Sequence, residues 1–215
     1  MKKKLSKKNI VITGASGDIA QALIQRLEGH NLILLSRSLP QPVIPEKVDI
    51  LINNAGFGEF AELSNLSDEQ IDEMFKVNTL DLIKRTRDLR PELQVINIAS
   101  IAGKLPTAKS TVYAASKAAV LAFSDALRLE NPNLIVTTVN TGPVRTKFHK
   151  DNVDYLEKVG ENAVSAEYVA DKIEQVLGKK KREVNLPVQL AFVAKIRALF
   201  PSLVDNIGNR FFNYK

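Results

Sequence analysis

Short runs that are apolar almost throughout recur along this chain, with helix-patterned segments between them. NIVIT (9–13), NLILLS (31–36), VDILINN (48–54), LQVINIAS (93–100) and NLIVTTVN (133–140) lack the alternation of a strand with one wet face. Such strands are covered on both sides, as in parallel sheets. The intervening segments carry the helical period. Ile19, Leu23 and Leu27 mark a helix over 18–27, and residues 111–130 and 165–178 are further helices. A long helical region runs from Ser67 to about Arg90. It opens with a capping box, Ser67 as N-cap and Gln70 behind it. REVNLP (182–187) reads as a last strand. Strands joined by right-handed helical crossovers make an α/β fold, a doubly wound, Rossmann-like parallel sheet in three αβα layers. Ligands of such sheets sit beyond the carboxyl ends of the strands. Those ends lie after Ile12, Leu35, Ile52, Ile98 and Val139.

The chain has 215 residues, 45% of them hydrophobic, enough for one core and one domain over 1–215. It has no cysteine, so no disulfide framework or thiolate metal site is expected, and no metal site of another kind is predicted. The basic start, MKKKLSKKNIVITG, has no small-residue cleavage site and leads directly into a turn, so no signal peptide is read. No apolar run is long enough to span a bilayer. A cytoplasmic location is expected. Of the net charge of +6, five positive charges sit in the basic tail at 1–8, leaving +1 on the rest. That distribution does not fit nucleic-acid recognition, which needs an organised basic patch.

Chemistry is sought at the strand ends. After the first strand, TGASGDIA places Gly14 in a turn whose backbone N–H groups could face a phosphate. By itself the turn suits an ordinary strand–helix connection equally well. After the second strand stands Arg37, where an acid would favour NAD and a basic residue suits the 2′-phosphate of NADP. NNAG follows the third strand. Asn53 and Asn54 can brace the adjacent turns, and Ala55 and Gly56 permit close backbone approach. Ser100 ends the next strand. Tyr113 and Lys117 then stand four apart on one face of a helix. A lysine cation favours the phenolate of a neighbouring tyrosine, making Tyr113 an acid–base candidate. Taken alone, such a pair is also a common surface arrangement.

The turn, NNAG, Asn78, Ser100, Tyr113-x-x-x-Lys117 and TGPVRT (141–146) occur in one fixed order, and Ser100 and Tyr113 are 13 residues apart. In this the chain resembles the short-chain dehydrogenase/reductase family over nearly its whole length. The resemblance implies an oxidoreductase that interconverts a carbonyl and an alcohol with a nicotinamide cofactor. It implies that Tyr113 is the general acid/base, that Lys117 tunes it and binds the nicotinamide ribose beside it, and that Ser100 polarises the carbonyl. Asn78 would interrupt its helix and hold a relay water. Gly14, Ser16, Asp18 and Ile19 would line the cofactor phosphates. Asn54, Ala55 and Gly56 would lie by the adenosine ribose, and Val144 and Thr146 would meet the carboxamide. Arg37 points to NADP as the preferred cofactor. A small carbonyl or alcohol substrate and a homodimer or homotetramer are implied as well.

The chain also departs from the family. Asp18 and Ala20 stand where glycines are usual, and Thr141 where proline is usual. A carboxylate near a pyrophosphate is adverse unless it points away or caps the helix, and capping is the preferred account. Between Arg37 and Asn53 the family usually fits a helix and a strand. Here Pro40, Pro42 and Pro45 leave room for no helix, and PVIP could keep at most a stub of extended chain. One strand fewer is expected, with a wall missing from the adenine pocket. The interval from Asn78 to Ser100 is also short, at 22 residues, in a region that often forms a dimer interface. Residues 147–165 correspond to a substrate lid, whose His149 reads as solvent-exposed. The apolar tail at 187–215 resembles those of a bacterial subgroup. With KKKR (179–182) it could lie on a membrane surface, but core or subunit packing is favoured. The alternative to an enzyme is a binding or regulatory module with weakened cofactor affinity and little turnover.

Overall fold

The computed structural model describes residues 6–146 and 163–211. In chain order the elements begin with β1 (Asn9–Thr13), α1 (Asp18–Arg26), β2 (Asn31–Leu35) and β3 (Ile50–Asn53). Then come α2 (Asp68–Phe75), a π-helical segment (Lys76–Leu80) and α3 (Asp81–Leu89). They are followed by β4 (Gln94–Ser100), α4 (Thr111–Glu130) and β5 (Ile135–Thr141). β6 (Val144–Arg145) and β7 (Val164–Ser165) pair in a separate parallel ribbon that periodicity does not reveal. The described chain ends with α5 (Ala166–Val176), β8 (Glu183–Leu186), α6 (Val188–Leu199) and α7 (Pro201–Phe211).

Six strands form one parallel sheet in the order β2-β1-β3-β4-β5-β8. The uniform apolarity of the strands follows from their two covered faces. Ile10, Ile12, Ile50, Ile52 and Ile96 pack on one face against Leu23 and Leu27 at α1 and Val169 and Ile173 of α5. Val11, Leu51, Ile33 and Leu35 turn to the other face, where Leu89 of α3 packs on them, and Ala99 meets Leu82 of α3 and Val120 of α4. Each fully buried aliphatic side chain contributes roughly 1.5–3 kcal/mol. The second layer also holds a buried polar chain. Asn53 Nδ2 donates to Asn97 Oδ1 (2.9 Å) and Thr86 Oγ1 (3.1 Å), and Asn97 Nδ2 donates to Ser124 Oγ (2.8 Å). Asn97 thereby ties β3 to α4.

Ser67 caps α2 as expected, with both hydrogen bonds of the capping box formed to Gln70. The helix predicted over 165–178 is α5. Ser165 is its N-cap, and Gly178 stands beyond its end at φ +67°. The strand expected from Asn133 begins at Ile135, because Leu134 N–H still closes the turn after α4 on the Asn131 carbonyl (3.0 Å). Residues 36–49 hold no helix or strand, PVIP included, and β2 is the edge of the sheet. Residues 1–5 of the basic tail lie outside the described residues, as does the expected lid except for its last three positions. His149 falls there too. The apolar tail expected to pack on the core or a subunit is built as α6 and α7. Among the buried hydrophobic residues α6 contributes Ala194, while its outward side chains stay in solvent, so that face does not complete the core.

Candidate active site

The sheet order reverses between β1 and β3, and the crevice at their carboxyl ends is where an open α/β sheet admits a ligand. Gly14 sits there at φ +63°. A Cβ on it would lie 2.7 Å from Ala55 Cα and 2.9 Å from Ala55 N. Only glycine lets the two loops meet this closely. The turn closes with Gly17 N–H donating to the Gly14 carbonyl (3.0 Å) and Ala15 N–H to that of Leu35 (3.1 Å). Asn54 spans the crevice. Its Nδ2 donates to the Thr13 (3.2 Å) and Gly14 (3.1 Å) carbonyls, while Thr13 Oγ1 accepts from the N–H groups of Asn54 and Ala55. Thr13 is a bracing residue that the sequence reading missed, though its place at the end of β1 could have flagged it.

The turn residues divide. Ser16 Oγ is 3.0 Å from Ser36 Oγ, at the end of β2. Ile19 packs against the core. The capping account of Asp18 is corrected: the N-cap of α1 is Gly17, in extended conformation, and Asp18 is the first helical residue. An acid there is still favoured by the helix dipole. Asp18 also shares a small cleft with Gln21 and Arg145. The first-turn N–H groups of α1 have no intrahelical acceptor, which suits an anion. Arg37 is 86% exposed at its side chain and forms an ion pair with Glu73 of α2 (3.1 Å).

A second group gathers around α4. Tyr113, Lys117, Ser100 and Asn78 are all buried. Asn78 lies in the π-helical segment, so the predicted interruption of its helix is present. Its Oδ1 accepts from Phe57 N–H (2.9 Å). Its Nδ2 donates to the Phe57 carbonyl (2.9 Å) and to Ser116 Oγ (3.0 Å). The amide is thus committed to protein partners. Ser116, one residue before Lys117, is a second residue that the sequence reading missed. Lys117 Nζ donates to the Ile98 carbonyl (3.1 Å) and lies 5.9 Å from the Tyr113 ring centroid. Burial pulls its pKa down to about 8. A Cβ on Gly56 would lie 3.0 Å from Asn78 Oδ1 and 3.1 Å from Lys117 Nζ, so NNAG reaches both clusters.

Ser100 Oγ donates to the Thr141 carbonyl (3.3 Å) and accepts from Ala102 N–H (3.1 Å). The loop after it lies on α4, since a Cβ on Gly103 would be 2.9 Å from Ala118 N. Phe60 stacks tilted against Tyr113, with ring centroids 5.2 Å apart, in an apolar cluster with Phe57 and Met74. Val144 is buried, and Thr146 Oγ1 donates to its carbonyl (3.4 Å). A glycine turn at the switch point, a helix N-terminus and a buried cation beyond NNAG fit a dinucleotide. The exposed edge at β2 offers its distal end less.

A family model described as "short chain dehydrogenase" matches residues 40–157. The chain is 32% identical over 173 residues to the uncharacterized oxidoreductase YbbO of Escherichia coli (strain K12), covering 72% of this chain and 64% of that one. It is 31% identical over 176 residues to the dehydrogenase/reductase SDR family member 7B of Mus musculus, covering 74% and 54%. The chain thus spans less than two thirds of the length of these relatives. In solved structures the fold matches a short-chain dehydrogenase from Sphingobium yanoikuyae in complex with NADPH. The TM-score is 0.77 at 22% identity, over 94% and 95% of the two chains. A short-chain dehydrogenase from Streptomyces avermitilis matches with a TM-score of 0.75 at 21% identity, over 93% and 96%.

Proposed function

The chain belongs to the short-chain dehydrogenase/reductase family of oxidoreductases, and on that premise we propose that it interconverts a carbonyl and an alcohol with NADP(H), with Tyr113 exchanging the proton. The observation that carries the proposal is the seating of Lys117. It is buried on the Tyr113 face of α4 and held by a carbonyl two residues before Ser100. When bound, the cofactor supplies the hydride. Gly14 and the start of α1 hold its phosphates, Asn54, Ala55 and Gly56 its adenosine ribose, and Lys117 and Tyr113 its nicotinamide ribose. Val144 and Thr146 receive the carboxamide. Ser100 turns its hydroxyl from the Thr141 carbonyl to the substrate oxygen, where negative charge develops in reduction. Tyr113 protonates that oxygen, and the charge on Lys117 favours the phenolate left behind. The Asn78 side chain holds Phe57 and α4 in register. The expected homodimer or homotetramer remains part of the proposal.

The test is a screen of NADPH oxidation over aldehydes, ketones and quinones. Tyr113→Phe is expected to lose activity by roughly 10²–10⁴-fold, the usual worth of a general acid. It should still quench or enhance NADPH fluorescence as wild type does. Activity that survives Tyr113→Phe overturns the mechanism. Arg37 exchanges its exposed ion pair with Glu73 for the 2′-phosphate. Because that phosphate is present in NADPH alone, NADPH should bind more tightly than NADH, and Arg37→Ala should remove the difference. Equal affinities in the wild type overturn the NADP preference. One observation favours a second reading, a binding module with little turnover: β2 is the sheet edge, and among the described residues no strand lies beyond it toward the adenine. Detectable NADPH binding with no turnover of any carbonyl would support that reading.

A further inference from the structure

Among the described residues no helix is long and apolar enough to cross a membrane, yet the last two helices present an apolar outer face. Val188, Phe192 and Leu199 of α6 are 69%, 67% and 74% exposed. With Lys195 between them, their spacing makes a single stripe along the helix. Phe200 and Leu203, where α6 passes into α7, are 58% and 57% exposed. The inner side of α6 is already engaged. Ala194 is buried, and a Cβ on Gly142 would lie 2.9 Å from Leu190 Cδ1. Arg197 pairs with Asp205 of α7 (2.7 Å) and donates to the Lys104 carbonyl (3.3 Å). The stripe is therefore a surface, not an unfinished piece of core.

A basic cluster adjoins it. Lys179, Lys180, Lys181 and Arg182 are exposed between α5 and β8. A groove of about 460 Å³ is lined by Lys172, Lys179 and Lys181 together with Val188 and Ala191. The cations and the apolar stripe thus share one surface. Charge is segregated along the chain as well: residues 179–215 carry net +6, while 9–178 carry net −5. We propose that this face docks on an anionic phospholipid bilayer, with the α6 stripe entering the headgroup boundary and the lysines meeting acidic headgroups. The positive charge of this region suits an anionic bilayer better than a second copy, which carries the same charge.

The full chain is tested by flotation with vesicles of phosphatidylcholine alone and of phosphatidylcholine with phosphatidylglycerol, at low and high salt. Flotation is expected with phosphatidylglycerol only, weakening as salt screens the lysines. Phe192→Ser with Leu199→Ser should lower vesicle affinity about tenfold or more. Lys179→Gln, Lys180→Gln and Lys181→Gln together, which leave the apolar face intact, should do the same. Circular dichroism checks that each variant is folded. No flotation with phosphatidylglycerol, or flotation indifferent to both variants, overturns the proposal. So does a wild-type dimer that Phe192→Ser with Leu199→Ser turns into monomer without any vesicle binding, which would assign the face to a second copy.

Discussion

Lys117 keeps its charge in a place that disfavours it. Burial lowers its pKa from 10.5 to about 8. Below pH 8 both the folded and the unfolded chain hold the proton, and the full penalty, roughly 3 kcal/mol, is present. Between pH 8 and 10.5 the unfolded chain binds more protons than the folded one, so stability rises with pH across that window. Replacing the group by Lys117→Met removes the dependence. Urea unfolding at a series of pH values is therefore expected to show wild type gaining roughly 3 kcal/mol on the variant from pH 8 to 10.5. An unchanging gap would mean the ammonium is not desolvated. At Gly14 the constraint is steric. An added Cβ would meet Ala55 backbone atoms at 2.7 and 2.9 Å, and φ is +63°. Gly14→Ala is expected to cost roughly 2 kcal/mol or more and to weaken NADPH binding. Gly29→Ala, whose Cβ meets nothing within 4 Å, serves as the control. Thermal unfolding and cofactor titration of both variants decide the matter.

At the scale of elements, the segment from Ser67 to Leu89 shows what a pattern reveals and what it hides. The capping box and the helical period were both legible. Of the π-helical turn at Lys76–Leu80 only a hint was, through the resemblance at Asn78, because one extra residue in a turn barely disturbs a hydrophobic period. The turn buries Asn78 and aims it at Phe57 and Ser116. Asn78→Ala would leave the Phe57 N–H and carbonyl without these partners, a loss of roughly 3 kcal/mol in urea unfolding. Activity should fall further than stability, since the loop carrying Gly56 loses its register against Lys117. α6 and α7 were legible only as apolar chain. Amphipathic sequence states that one face avoids water, but whether core, subunit or lipid covers it depends on geometry elsewhere.

For the molecule as a whole, the parallel sheet was readable because both of its faces are buried, which makes its strands apolar throughout. The candidate site residues could be picked out because such sheets collect ligands at the carboxyl ends of their strands. The polar supports were not. Thr13 and Ser116 are common residue types in common places, and only the folded chain shows what they hold. The gap after Arg37 was visible as a shortage of residues, and it leaves β2 at the rim of the sheet. That rim has a kinetic consequence. A ligand gripped at its phosphates but little enclosed at its adenine end leaves quickly, since lost contacts appear mainly in the rate of departure. Departure of the spent cofactor, often the slow event in well-evolved enzymes, should then be fast. Hydride transfer itself would set the pace. NADPH deuterated at the transferred position is expected to slow kcat with a clear primary isotope effect. Equal rates with both isotopologues would mean that the cofactor lingers despite the open rim.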